Sequence, residues 1–131
     1  MGREGAGFLS IGLEQLKDYC GRKPGSRAGS PFGEGNLVFK VCGRIFASLH
    51  VKESPVKITL KTAPELAGLL RQTYPAVRPA RYFDKRYWSA VTCDGALPED
   101  ELLELIDTSY DIVVGGLKRS DRTSLRDLDP R

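Results

Sequence analysis

Cysteine is scarce in this chain of 131 residues, and the three present, Cys20, Cys42 and Cys93, are widely spaced. An odd, scattered set excludes a disulfide framework and a paired-cysteine metal site, and fits free, mostly buried thiols in a reducing compartment. His50 is the only histidine. It forms a nucleophilic pair with Cys42 or Cys93 only if the fold brings them together. There is no Gly-x-Ser-x-Gly motif and no phosphate loop; the glycines of Met1–Gly7 lack the required spacing and follow no strand. No catalytic residue, metal ligand or cofactor is therefore assigned, and the chain is expected not to be an enzyme. No apolar run approaches the roughly 20 residues needed to cross a bilayer. The first residues also lack a charged segment followed by a long apolar one. A cytoplasmic monomer without membrane association is expected. A net charge of +3 is too mild to demand a polyanionic partner.

The distribution of charge says more than its total. Between residues 52 and 90 stand Lys52, Lys57, Lys61, Arg71, Arg78, Arg81, Lys85 and Arg86, against Glu53, Glu65 and Asp84. From Asp94 to Leu117 the chain has Asp94, Glu99, Asp100, Glu101, Glu104, Asp107 and Asp111 and no base. Such segregation predicts one positive and one negative face. The segment Tyr74–Gly95 combines the only tryptophan, Trp88, with Tyr74, Tyr82, Phe83 and Tyr87 and four of the bases. Pro75 and Pro79 bar a helix through its first part. Trp88, Ala90 and Thr92 then alternate with Ser89, Val91 and Cys93 as in a strand, and Asp94-Gly95 supplies a turn. A rigid, cationic, aromatic loop feeding a strand predicts a contact surface.

Periodicity places the other elements. A glycine-rich, mobile segment (residues 1–8) precedes an amphipathic helix carrying Leu9, Leu13, Leu16 and Cys20, with Ser10 as its cap. Residues 26–35 read as a loop. Three strands follow over 36–41, 44–51 and 56–61, joined by short connections into an antiparallel meander with one covered and one wetted face. In the second strand Ile45, Ala47, Leu49 and Val51 share a side and Phe46 takes the other. Thr62-Ala63-Pro64-Glu65 fits a capping box for a second helix. Pro98 opens the longest helix, with an apolar stripe of Leu102, Leu103, Ile106, Tyr110, Val113, Val114 and Leu117. One domain over residues 9–117 is expected, followed by a frayed polar tail over 118–131.

These blocks resemble the MmcQ/YjbR family of small bacterial proteins over about Leu13 to Leu117. The resemblance is carried by KVCGRIFASL (40–49), ITLKTAPELAGLLR (58–71), YPAVRPARYFDKRYW (74–88), DGALP (94–98) and IDTSYDIVV (106–114). It implies a frataxin-like (CyaY-like) α+β fold, an antiparallel sheet with helices packed on one face, and DNA binding in a double-wing manner. Asp84 stands where the family commonly has asparagine.

The expected DNA contacts are Lys57, Lys61, Arg71, Arg78, Arg81, Tyr82, Lys85 and Arg86, with Tyr82, Phe83 or Tyr87 stacking on bases. The blander reading is a solvated basic surface, with Arg81 or Arg86 tied to a local carboxylate. Trp88 and Tyr110 read as packing residues. Two other functions stay open: a protein–protein adaptor using the same loop, with the acidic helix as a second contact, and, ranked last, metal delivery. Glu104, Asp107 and Asp111 share a helix face, but monodentate carboxylates on one exposed helix bind metals weakly.

Overall fold

A computed structural model describes residues 11–128, which leaves the expected segment 1–8, Leu9 and the cap Ser10 outside the described residues. Helix α1 (Leu13–Gly21) is capped instead by Gly12, whose amide donates to the Gln15 Oε1 at 2.9 Å. Strands β1 (Ser26–Gly29), β2 (Asn36–Val41), β3 (Arg44–His50) and β4 (Lys57–Lys61) follow. Then come α2 (Pro64–Thr73), β5 (Val77–Pro79), β6 (Trp88–Thr92), α3 (Glu99–Gly115) and α4 (Arg119–Leu128). The strands form one antiparallel sheet in the order β1-β2-β3-β4-β6-β5. The α+β class and the meander β2-β3-β4 stand as expected.

Local chemistry explains most of these elements. Cys42 and Gly43 both take positive φ, 49° and 80°, the two-residue turn whose twist matches the flanking strands. Helix α2 opens on Pro64, whose missing amide costs nothing there. The expected capping box is not made: Ala63 is the cap, and the Thr62 hydroxyl is buried and donates to the Ala63 carbonyl. Pro98 caps α3, and Glu99, Asp100 and Glu101 sit in its first turn, where the helix dipole favours negative charge.

The core lies between the sheet and the helices. Leu16, Phe39, Leu49, Ile58, Leu70 and Ile106 belong to one buried cluster, together with Leu125 from α4. That last residue corrects the expected frayed tail. The segment after Lys118 is helical, Leu125 anchors it beside Gly25, and a side chain at Gly25 would meet Leu125 at 2.4 Å. Residues 26–29 and 77–79, both read as loop, are edge strands.

The central deviation from simple alternation is in β3. Phe39 pairs with Ala47 and Lys40 with Ile45, so Phe46 is an extra residue, a bulge. Phe46 and Ala47 both turn to the helices, and the Phe46 ring meets Tyr110 edge-on at 5.2 Å. Ile45 passes to the opposite face, the reverse of the expected assignment. Alternation beyond the bulge then sets Ser48 and His50 on that open face, in register with Thr59 and Lys57.

Candidate nucleic-acid interface

Register decides which residues share the open face. Val38, Ser48, Thr59, Ala90 and Arg78 form one row across five strands, and Asn36, His50, Lys57 and Thr92 form the next. Arg27 pairs with Lys40, and Lys61 pairs with Trp88. The six strands contain Arg27, Lys40, Arg44, Lys57, Lys61 and Arg78 and not one Asp or Glu. Six acids, Glu99, Asp100, Glu101, Glu104, Asp107 and Asp111, sit on α3, which packs against β2, β3 and β4 from the other side. The charge segregation seen along the chain is thus also a segregation in space.

The expected contacts divide into three kinds. Arg78, Arg81, Tyr82 and Lys85 are exposed, and the three cations make no ion pair among the described residues. Lys57 and Lys61 are half-buried on the face. Lys57 pairs with Glu53 at 3.2 Å, and the Lys61 ammonium lies over the rings of Tyr87 and Trp88 at 5.6 and 5.9 Å. Arg71 and Arg86 are occupied. The Arg71 guanidinium reaches from α2 to donate to the carbonyls of Lys85 (2.7 Å) and Trp88 (2.8 Å) and to the Ser89 hydroxyl. It is a clamp on the 80–87 loop, not a free phosphate contact. Arg86 forks onto Asp84, whose carboxyl those hydrogen bonds hold below the usual carboxylate range. Sequence spacing missed Arg27 and Lys40, which reach the patch only through strand pairing, and Arg44, which stands opposite Val41 at the start of β3 and lines the hollow at the end of the sheet. Charge along β1 and β2 was the available signal.

Trp88 is not the core anchor expected. It faces outward with Ala90 and Thr92, half-buried against Phe83 at a ring-centroid distance of 4.7 Å, while Ser89 and Val91 turn inward. The loop that carries Phe83 closes by the Ala80 amide donating to the Trp88 carbonyl, at 3.1 Å. Tyr82 stands at its tip, 91% exposed, with φ of 70°. A bulky residue seldom adopts that left-handed conformation, because its Cβ crowds the backbone.

A cleft of about 860 Å³ lies over the sheet rows just described. Its floor includes Asn36, Ser48, His50 and Thr59, and its rim includes Arg78 and Arg81. Phe32, from the β1–β2 loop, and Tyr82 and Phe83, from the β5–β6 loop, reach it from opposite edges of the sheet. His50 Nε2 lies 3.1 Å from the Thr59 Oγ1. Burial, aided by Lys57 and opposed by Glu53, pushes the His50 pKa below its ordinary value, so the imidazole is neutral at pH 7. A second hollow of about 440 Å³, at the end of the sheet, shares Ile45 and Phe83 with the first, adds Lys40, Arg44, Lys61 and Trp88, and is bounded by Ile112 and Val113 of α3 and by Gly116 at its C-cap.

Other chemistry is not assembled here. Burial pushes the thiols of Cys20 and Cys93 up to about 12, far from the thiolate a nucleophile needs. Cys42 sits at the turn before β3 and His50 at the far end of that strand. On α3, Asp107 accepts hydrogen bonds from the Tyr19 hydroxyl (2.7 Å) and from the Lys23 ammonium, which takes it out of an open carboxylate face. No group of three or more His, Cys, Asp or Glu suited to a metal ion occurs among the described residues. Nor is any of their helices long and apolar enough to cross a membrane.

An antiparallel α+β protein with a basic, concave sheet face is the class that this geometry defines. The sequence pattern of the YjbR family matches residues 21–112. The uncharacterized protein YjbR of Escherichia coli K12 is 37% identical over 116 residues, covering 88% of this chain and 98% of that one. The uncharacterized protein YbdF of E. coli O157:H7 is 33% identical over 96 residues, or 73% and 79% of the two chains. A crystal structure from Deinococcus radiodurans with a DUF419 domain superposes with a TM-score of 0.82 at 30% identity, covering 93% of this chain and 91% of its own. A Pseudomonas syringae protein gives 0.67 at 25% identity, over 78% and 98%. The chain belongs to the YjbR family.

Proposed function

We propose that this protein binds DNA without catalysis, contacting phosphates through the open sheet face and the loop over residues 78–86. The observation that carries the reading is the complete absence of acids from six strands that hold six lysines and arginines. A predominantly basic surface, on which Glu53 and Asp84 offset only Lys57 and Arg86, backed by the acids of α3 on the far side, orients the molecule toward a polyanion. The frataxin-like (CyaY-like) fold and the double-wing contact implied by the family resemblance belong to the same proposal. What supports them is the pair of loops, bearing Phe32 and Tyr82, that rise from opposite edges of the sheet. Arg71 is excluded from the phosphate contacts and Arg86 contributes little, because each is already occupied.

Titrating a mixed-sequence DNA with the protein at two salt concentrations tests this. With four or five phosphates engaged, affinity falls roughly a hundredfold or more between about 50 and 200 mM salt. Arg81→Glu and Lys85→Glu, both at exposed positions, weaken it further. Salt-insensitive binding, or retention of a protein partner after nuclease and high salt, would instead favour the adaptor reading.

A further inference from the structure

The open sheet face carries one hollow of about 860 Å³ and adjoins a second of about 440 Å³. The larger hollow has aromatic rings at its rim and small polar side chains along its lining; the smaller, at the end of the sheet beside α3, is lined by Phe83, Trp88 and three cations, and Phe83 is shared by both. Ser48 is only 3% exposed, yet it lines the larger hollow and its hydroxyl has no hydrogen-bond partner among the described residues. The Asn36 side-chain amide lines the same hollow and likewise makes no hydrogen bond among them. Both side chains keep polar atoms open to the hollow, where the polar edge of a ligand can take the place of water. Around it stand Phe32, 65% exposed, and Tyr82, whose φ holds the ring at the rim. Arg78 and Arg81 lie at one end of this track and Lys40, Arg44 and Lys61 at the other. Rings for stacking, polar atoms for a base edge and cations along both sides are the parts of a single-strand site.

We propose that this face takes DNA as an unpaired strand. One base is seated over Ser48 and Asn36 between Phe32 and Tyr82, and the next lies across Phe83 in the hollow beside Trp88. Bases stacked and paired inside a duplex cannot enter either hollow, so the duplex makes only the phosphate contacts. The inference rests on DNA binding by this face.

Fluorescence anisotropy with the full chain separates the two claims. A labelled strand of about 12 thymidines and a duplex of the same length are titrated at about 100 mM salt. The single strand is expected to bind at least about tenfold tighter. Tyr82→Ala, at a position too exposed to endanger folding, lowers single-strand affinity about tenfold, several times more than it lowers duplex affinity. Phe83→Ala does the same and is read only if circular dichroism shows it folded. Arg81→Glu lowers both. Equal affinity for the two forms, or single-strand binding indifferent to Tyr82→Ala, overturns the unpaired-strand assignment and leaves DNA binding standing. Failure to bind either form removes both.

Discussion

The two faces of the sheet are built from alternate residues of the same strands, yet they have been put to different uses. On the helix side Phe39, Phe46, Leu49, Ile58, Leu60 and Val91 are essentially sealed from water and share one cluster with all four helices. On the open side the corresponding rows are Ser48, Thr59 and Arg78, then Asn36, His50 and Lys57. One face is close-packed and holds the fold. The other carries charge, exposed aromatic rings and a strained loop tip, features that stability alone does not favour. Their persistence on a single side is the physical argument for a binding surface there.

The sharpest way to break the contrast is through its covered half. Phe46→Ala removes a fully buried ring from the bulge and should cost about 3–5 kcal/mol in denaturant unfolding. A loss under about 1 kcal/mol would mean that the bulge does not direct this ring inward. Next is the connection between the two faces. Arg71→Ala strips the loop over residues 80–87 of its clamp and should cost about 2–3 kcal/mol, with DNA affinity falling although Arg71 itself touches no phosphate. Lysine at position 71 should not restore either property, because it lacks the planar fork that serves three acceptors at once.

On the open half the effects are smaller and their signs differ. Tyr82→Gly relieves the left-handed backbone at the loop tip, so stability should stay level or rise by about 0.5 kcal/mol while binding of an unpaired strand weakens. A loss of stability would show that the ring packs rather than projects. The least of the expected effects concerns pH. His50 has a lowered pKa in the folded protein, so the unfolded chain takes up its proton first. Its contribution to stability is present above the unfolded value of about 6.5 and is lost as pH falls below that toward the folded pKa. His50→Gln should flatten the decline in melting temperature over that acid window, and an NMR titration should place the His50 midpoint below about 6.5. A midpoint above it would contradict the burial that sets the shift.

Much of this division was legible beforehand. The strands β2, β3 and β4, the turn at Cys42-Gly43, the proline start of α3 and the outward row Lys57, Thr59, Lys61 all follow from local spacing. So did the separation of the basic half of the chain from the acidic helix. The misses share a cause. Phe46 was placed on the wrong face because a bulge leaves no mark in the residue pattern. A position in a strand beside small residues suggests core for Trp88, but strand parity puts it on the outward face. Arg71 was counted with the free cations because its acceptors lie fourteen to eighteen positions away. Arg27 and Lys40 escape a linear reading because only the pairing of β1 with β2 carries them to the patch. The helix after Lys118 was read as tail because one buried leucine in a polar segment gives little periodic signal.

The amino-acid order alone determined the α+β character, the family, the parity of most strand residues and the exclusion of acids from the strands. These depend on near neighbours, through side-chain alternation, turn chemistry and the spacing of apolar residues. Only the tertiary structure decided which cations remain free, which are bound up with Asp84 or the loop carbonyls, and where aromatic rings wall a cleft. Hydrogen bonds and ring contacts of that kind join residues far apart in the chain. Their geometry exists only once the strands have taken their register.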